Sequence, residues 1–290
     1  MRWLSVPSQS TAMLFMWLAV GTMAATFGAC YGLWLSRGCI AFMPFISDLG
    51  LHGSMKTVFT LGLLACGVFM LCVLPHIVVA RQSLLSILLL HRHWHNVNIM
   101  IGVAGAATAL GVGALGFFPW DKRLDVHLVC ADVIFGGGLV WAVGSWVLAR
   151  RFASASCGKY ARHTWDSCRR RRQLQLPVAV ASICVLVVAN LCFVGAYLSD
   201  PAVFTTLGLR RTLELANANF GGYCSGNVGW HGMAWVNMVA LSEWVYVALL
   251  AIGVVLGAAD FEAHVALQQD IDAVLPTSTE DEGSKWWHFL

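Results

Sequence analysis

Hydrophobic and polar positions in this chain fall into long blocks, not into the residue-by-residue alternation of a half-buried strand. Six apolar runs, at 11–35, 57–80, 96–118, 126–149, 177–198 and 236–259, are each 22 to 25 residues long. A hydrocarbon core about 30 Å thick needs about 20 helical residues to cross it. Each run therefore predicts one complete spanning helix. Backbone groups cannot stay unpaired in lipid, so the other spanning solution is a closed barrel, whose strands alternate over about 10 residues. The absence of that alternation leaves an all-α, polytopic membrane protein: a single bundle of six transmembrane helices.

Composition agrees. Hydrophobic residues make up 58% and charged residues 11% of the 290, with a mean hydropathy of +0.71. The net charge of +3 matters less than its distribution. Arg150, Arg151, Lys159, Arg162, Arg169, Arg170, Arg171 and Arg172 place eight of the 18 Lys and Arg between runs 4 and 5. Basic loops stay cytoplasmic, so this loop, the 2–3 loop with Arg81 and Arg92, and both termini are expected inside. The same cluster offers an anionic-lipid patch through Arg150, Arg151 and Arg169 to Arg172. Run 1 is too long for a signal-peptide core and reads as an uncleaved helix. The expected organisation is a cytoplasmic N-terminus over 1–10, a membrane domain over 11–261, and an acidic, amphipathic cytoplasmic tail over 262–290.

Small residues recur every three or four positions in run 3, at Gly102, Ala106, Ala109, Gly113 and Gly116, the pattern of a close helix-packing face. Gly136, Gly137 and Gly138 in run 4 either admit a neighbour or loosen that helix. His91, His93 and His95 alternate, which spreads their rings around a helix instead of gathering them on one ion, so no metal site is expected. No cofactor motif, P-loop, GxSxG elbow or HExxH helix occurs. Among ten cysteines, Cys39 and Cys224 fall in outer loops, the oxidising side, and form a candidate disulfide. Cys30 competes for either partner, and two free thiols are the other outcome.

Ionisable groups near the outer leaflet carry the candidate chemistry. Asp48 lies in the first outer loop, His127 opens helix 4, Asp132 lies deeper in it, and Glu243 sits seven residues into helix 6. Charges at that depth are costly unless paired or hydrated, so they mark either a functional site or a latch between helices. One polar site gathering Asp48, His127, Asp132 and Glu243 around a lipid headgroup is expected, with His127 as the partner of Glu243. His127 and Asp132 also match an H-x4-D pattern, but five residues on a straight helix turn about 140°, which points the two side chains apart.

Three segments, FMPFISDLG at 42–50, VHLVCADVIFGGG at 126–138 and SEWVYVALLAIGVVLGAADF at 242–261, stand in order along the chain. Together they resemble the signatures of the DRAM, FRAG and SFK family of six-pass membrane proteins over residues 11–261. Pro44, Ser47, Asp48, Gly50, His127, Glu243, Trp244 and Asp260 are the motif positions. The family includes lysosomal autophagy modulators, plasma-membrane relatives tied to phosphoinositide signalling and phospholipid asymmetry, and a Golgi factor for lipid remodelling of GPI anchors. Asp48 and Trp244 resemble the first two branches, whereas Cys39 and the GYC segment ending at Cys224 resemble the third. The resemblance implies a non-catalytic membrane protein of endomembranes (Golgi, ER or lysosome) or the plasma membrane, acting in lipid organisation or autophagy-type or phosphoinositide-linked regulation, without a cofactor. Its alternative is a GPI-remodelling factor, enzyme or essential subunit, with His127 or Glu243 as catalytic candidates; the family carries over no established catalytic set. Membrane lipids and a cytosolic protein are the expected partners, and nothing points to nucleic acid.

Overall fold

A computed structural model describes residues 9–41, 44–88, 90–154, 173–202, 205–225, 234–257 and 260–265. The described chain is helical. In order, it forms α1 (Gln9–Ser36), a short 3-10 helix (Ile46–Gly50), α2 (Gly53–Ile87), α3 (His93–Leu115), α4 (Trp120–Ser154), α5 (Gln175–Ser199), the two short helices α6 (Thr206–Ala218) and α7 (Phe220–Cys224), and α8 (Ala234–Leu256). A further helical stretch covers 260–265. Six helices are long and apolar enough to cross a membrane: α1 to α5, and the segment Ala234–Val265 that begins with α8. Each coincides with one of the six apolar runs, although α3 stops at Leu115, three residues before the third run ends. Leu14, Met100, Val129, Leu191 and Leu198 all lie more than half exposed, the outward apolar surface of a bundle solvated by lipid.

Neighbouring helices pack in chain order, α1 on α2, α2 on α3 and α3 on α4, while α5 packs on α8 and less extensively on α4. The glycines explain how closely they come. A Cβ on Gly67 of α2 would lie 2.7 Å from the Ala109 carbonyl oxygen of α3, and one on Gly116 would lie 2.6 Å from Cα of Thr60. Thr60 Oγ1 donates to the Gly116 carbonyl at 2.7 Å across the same seam. In α4, Gly137 is pressed against Thr108 and Ala104 of α3, and Gly138 against Leu250 and Tyr246 of α8. The glycine triplet thus admits neighbours on two sides. Arg123, with φ −139° and ψ 63°, breaks the first turn of α4, so its regular spanning portion starts at Leu124.

The two ends differ. Near one, Phe27, Trp34, Leu49, Met55, Phe59, Trp120 and Tyr223 form a core beside a Cys39–Cys224 disulfide with S–S 2.10 Å. Cys30 stays a buried free thiol. Near the other, Met16, Ile77, Leu84, Leu148, Phe152, Phe261 and Ala263 pack together, so both ends of the described chain meet there. Arg81 corrects the sequence reading at this end. It is no loop charge but a residue of α2 only 1% exposed, whose Nε donates to Asp260 Oδ2 at 2.8 Å and whose Nη2 donates to Ser145 Oγ at 3.0 Å. Its guanidinium lies 4.8 Å from the ring centre of Trp141. The helical stretch buries Phe261, Ala263 and His264. The rest of the tail, from 266, and Lys159, Arg162 and Arg169 to Arg172 lie outside the described residues; Arg150 and Arg151 are exposed at the end of α4.

Candidate functional site

The segment from Pro44 to Gly50 lies across the disulfide end of the bundle, pinned from several directions. Trp244 Nε1 donates to the Pro44 carbonyl at 2.8 Å, and the Ile46 amide donates to Glu243 Oε2 at 3.0 Å. Asp48 is fully buried: its Oδ1 accepts from Trp120 Nε1 at 3.1 Å and from the Tyr223 hydroxyl at 3.0 Å, and its Oδ2 from the Phe45 amide at 3.2 Å. These three donors hold the carboxyl group in place. Just before the segment, Trp34 Nε1 donates to the Ile40 carbonyl, and the Ile40 amide to the Cys224 carbonyl beside the disulfide. Gly50 passes so close to Phe59 that an added Cβ would sit 2.8 Å from its ring.

Beneath this cap lies a cavity. Helix α8 packs along α5 but touches α1 and α4 at few points, so an elongated space remains among α1, α2, α3, α4 and α8. It holds about 870 Å³ of unfilled space, its opening included. The walls are apolar, with Met23, Leu63, Met70, Val112, Val247 and Ala251 among them, and the polar groups are few: Ser47, His127 and Glu243 toward the cap, Thr108 and Cys66 below. From Glu243 to Val254 the slot follows about 16 Å of α8. A smaller hollow of about 410 Å³ shares Met70, Thr108, Leu250 and Val254 with it and continues to Ile77 and Trp141, the ring on which Arg81 rests.

Of the four candidate residues, two line this space and two do not. Glu243 and His127 do. The hydrogen-bond partner of Glu243 is the Ile46 amide, not the expected His127. His127 is 7% exposed, and its Nδ1 lies 2.7 Å from the Phe118 carbonyl oxygen. A carbonyl only accepts, so Nδ1 carries the proton, and in the neutral ring Nε2 keeps a lone pair. Asp48 is consumed in holding the cap. Asp132 departs from the expected site altogether: α4 is regular between it and His127, so the 140° between them turns Asp132 to the exposed side of the helix. The remaining motif positions are accounted for by Pro44, Gly50 and Trp244 in the cap, Ser47 in the slot, and Asp260 on Arg81. Sequence reasoning missed Trp120, Tyr223 and Arg81, whose partners lie 72, 175 and 179 residues away. For Arg81 a signal existed: a lone base immediately beyond an apolar run.

A six-span α-helical membrane protein with an apolar slot under a covalently tethered cap is the class that this geometry defines. The chain belongs to the Frag1/DRAM/Sfk1/Cwh43P family: the profile of that family's N-terminal domain matches residues 11–264. Neither the curated proteins nor the solved structures contain a significant match to it.

Proposed function

We propose that this protein binds one membrane lipid, its acyl chain in the slot and its headgroup between Ser47, His127 and Glu243, and that it acts in membrane-lipid organisation without chemistry of its own. The observation that carries the reading is the gathering of Ser47, His127 and Glu243, three of the slot's five polar lining residues and both of its ionisable acid–base side chains, at its capped end, above walls that are mostly apolar. Water exclusion supplies no drive inside a bilayer, where lipid tails are as apolar as leucine. An unfilled slot still forfeits the dispersion contacts of its walls, and an acyl chain restores them. The disulfide supports an orientation with the cap on the luminal or extracellular side and both termini in the cytoplasm, in an endomembrane or the plasma membrane. Autophagy-type and phosphoinositide-linked regulation are the family roles consistent with such binding.

One observation favours a second reading, in which the bound lipid is remodelled, as in GPI-anchor acyl exchange. His127 is fixed in a single tautomer and lines the slot together with Ser47, so Nε2 is a base available at the headgroup end. The test is the lipid that co-purifies with the protein in lipid-free detergent, with Ala251→Trp to fill the slot. Wild type should retain about one lipid per chain and the variant less than a tenth of that, with the disulfide and thermal stability unchanged; equal lipid content overturns the proposal. Lipid analysis of GPI-anchored proteins from a deletion strain separates the readings. Altered anchor acyl chains select remodelling, and unaltered ones select binding alone.

A further inference from the structure

Asp132 is the acid that the slot leaves unused. It lies in an apolar run, about 12 Å along the helix from Leu124, and is exposed. No described residue gives it a hydrogen bond or an ion pair. The surface around it is flat and small. Val129 is 62% exposed and Val140 52%, and a Cβ on Gly136, one turn below the acid, would meet nothing within 4 Å. Val129, Asp132, Gly136 and Val140 follow one another at spacings of three, four and four, which keeps them on one side of α4. Helices approach closely on such faces in lipid. On the neighbouring α5, Asn190 is also exposed, about 14 Å from Ser199 and so at similar depth. Its Nδ2 is tied to the Leu186 carbonyl.

We propose that this face docks a transmembrane helix of a different protein, one that presents a lysine or arginine to Asp132. The charge decides the occupant. An aspartate has one methylene and cannot snorkel 12 Å to the headgroups as a lysine does. A second copy of this chain cannot neutralise it either, because none of the six apolar runs contains a lysine or arginine, and a two-fold pairing would set acid against acid. Asn190 adds a polar carbonyl oxygen at similar depth on the neighbouring helix.

A photoreactive benzoylphenylalanine at Val129 or Val140, with Leu110 of α3 as an outward-facing control, tests this in native membranes expressing the full chain. The expected adduct at 129 and 140 is a peptide from another protein, with a lysine or arginine inside an apolar run. Asp132→Leu should lower its yield at least tenfold, leaving the disulfide and slot lipid intact. An acid at the partner's basic position should restore the yield when combined with Asp132→Lys. Adducts to lipid alone, to this same chain, or to a helix without a base overturn the proposal, as does a yield indifferent to Asp132→Leu.

Discussion

The disulfide end and the opposite end of the bundle are closed by different chemistry. At the disulfide end, neutral donors and one covalent bond hold a cap over unfilled space: Trp120, Tyr223 and backbone amides reach two carboxylates, Asp48 and Glu243, and Trp244 reaches the Pro44 carbonyl. At the opposite end, one buried ion pair, Arg81 with Asp260, sits among packed Ile77, Leu84, Phe152 and Phe261. A buried ion pair is an all-or-nothing clasp, because removing one member strands the other charge. A cap on several moderate hydrogen bonds loses them one at a time. On the proposed reading, the capped end is where a lipid binds and the clasped end is where the helices are fixed.

Breaking the clasp should have the largest effect. Arg81→Ala or Asp260→Ala should each cost about 3–5 kcal/mol and collapse abundance, whereas Arg81→Met with Asp260→Leu should recover most of the loss, both read by thermal unfolding in detergent. Opening the cap comes next. Replacing Cys39 and Cys224 with serine removes a closure of 185 residues and should cost about 2–4 kcal/mol, less than the chain-entropy ceiling, because inserted helices already restrict the unfolded chain. Gly50→Ala drives a methyl into the Phe59 ring and should cost about 1–3 kcal/mol by the same measurement. Smallest in stability but largest in function is Glu243→Gln, which still accepts from the Ile46 amide. Its unfolding should shift by less than about 1 kcal/mol while retained lipid falls; normal lipid retention would reduce Glu243 to a pin of the cap.

The extent of each helix was legible in the chain, and direction around it was only partly so. The six spans follow from apolar runs of a length the bilayer dictates, and the small-residue stripe on α3 packs as its spacing implies, Gly113 and Gly116 lying against α2. His127 and Asp132 both lie in α4, as the sequence implied, and the turn between them already argued against a shared site. The short helices α6 and α7 escaped notice because neither contains an apolar run. Asp48 read as a headgroup ligand because its donors, Trp120 and Tyr223, are remote in sequence and become neighbours only when the loops fold over the bundle end. Arg81 read as a topogenic charge for the same reason: its acid lies 179 residues away, just beyond the last apolar run.

The central claim is that a lipid chain occupies the slot under the cap. A phospholipid with a photoactivatable group near the end of its acyl chain, reconstituted with the full protein and mapped by peptide mass spectrometry, tests it most directly. The account predicts adducts on Met23, Leu63, Met70 and Val247, which line the slot, and their loss in Ala251→Trp. Adducts confined to outward residues such as Leu110, Leu191 and Phe193, and unchanged by Ala251→Trp, would contradict it.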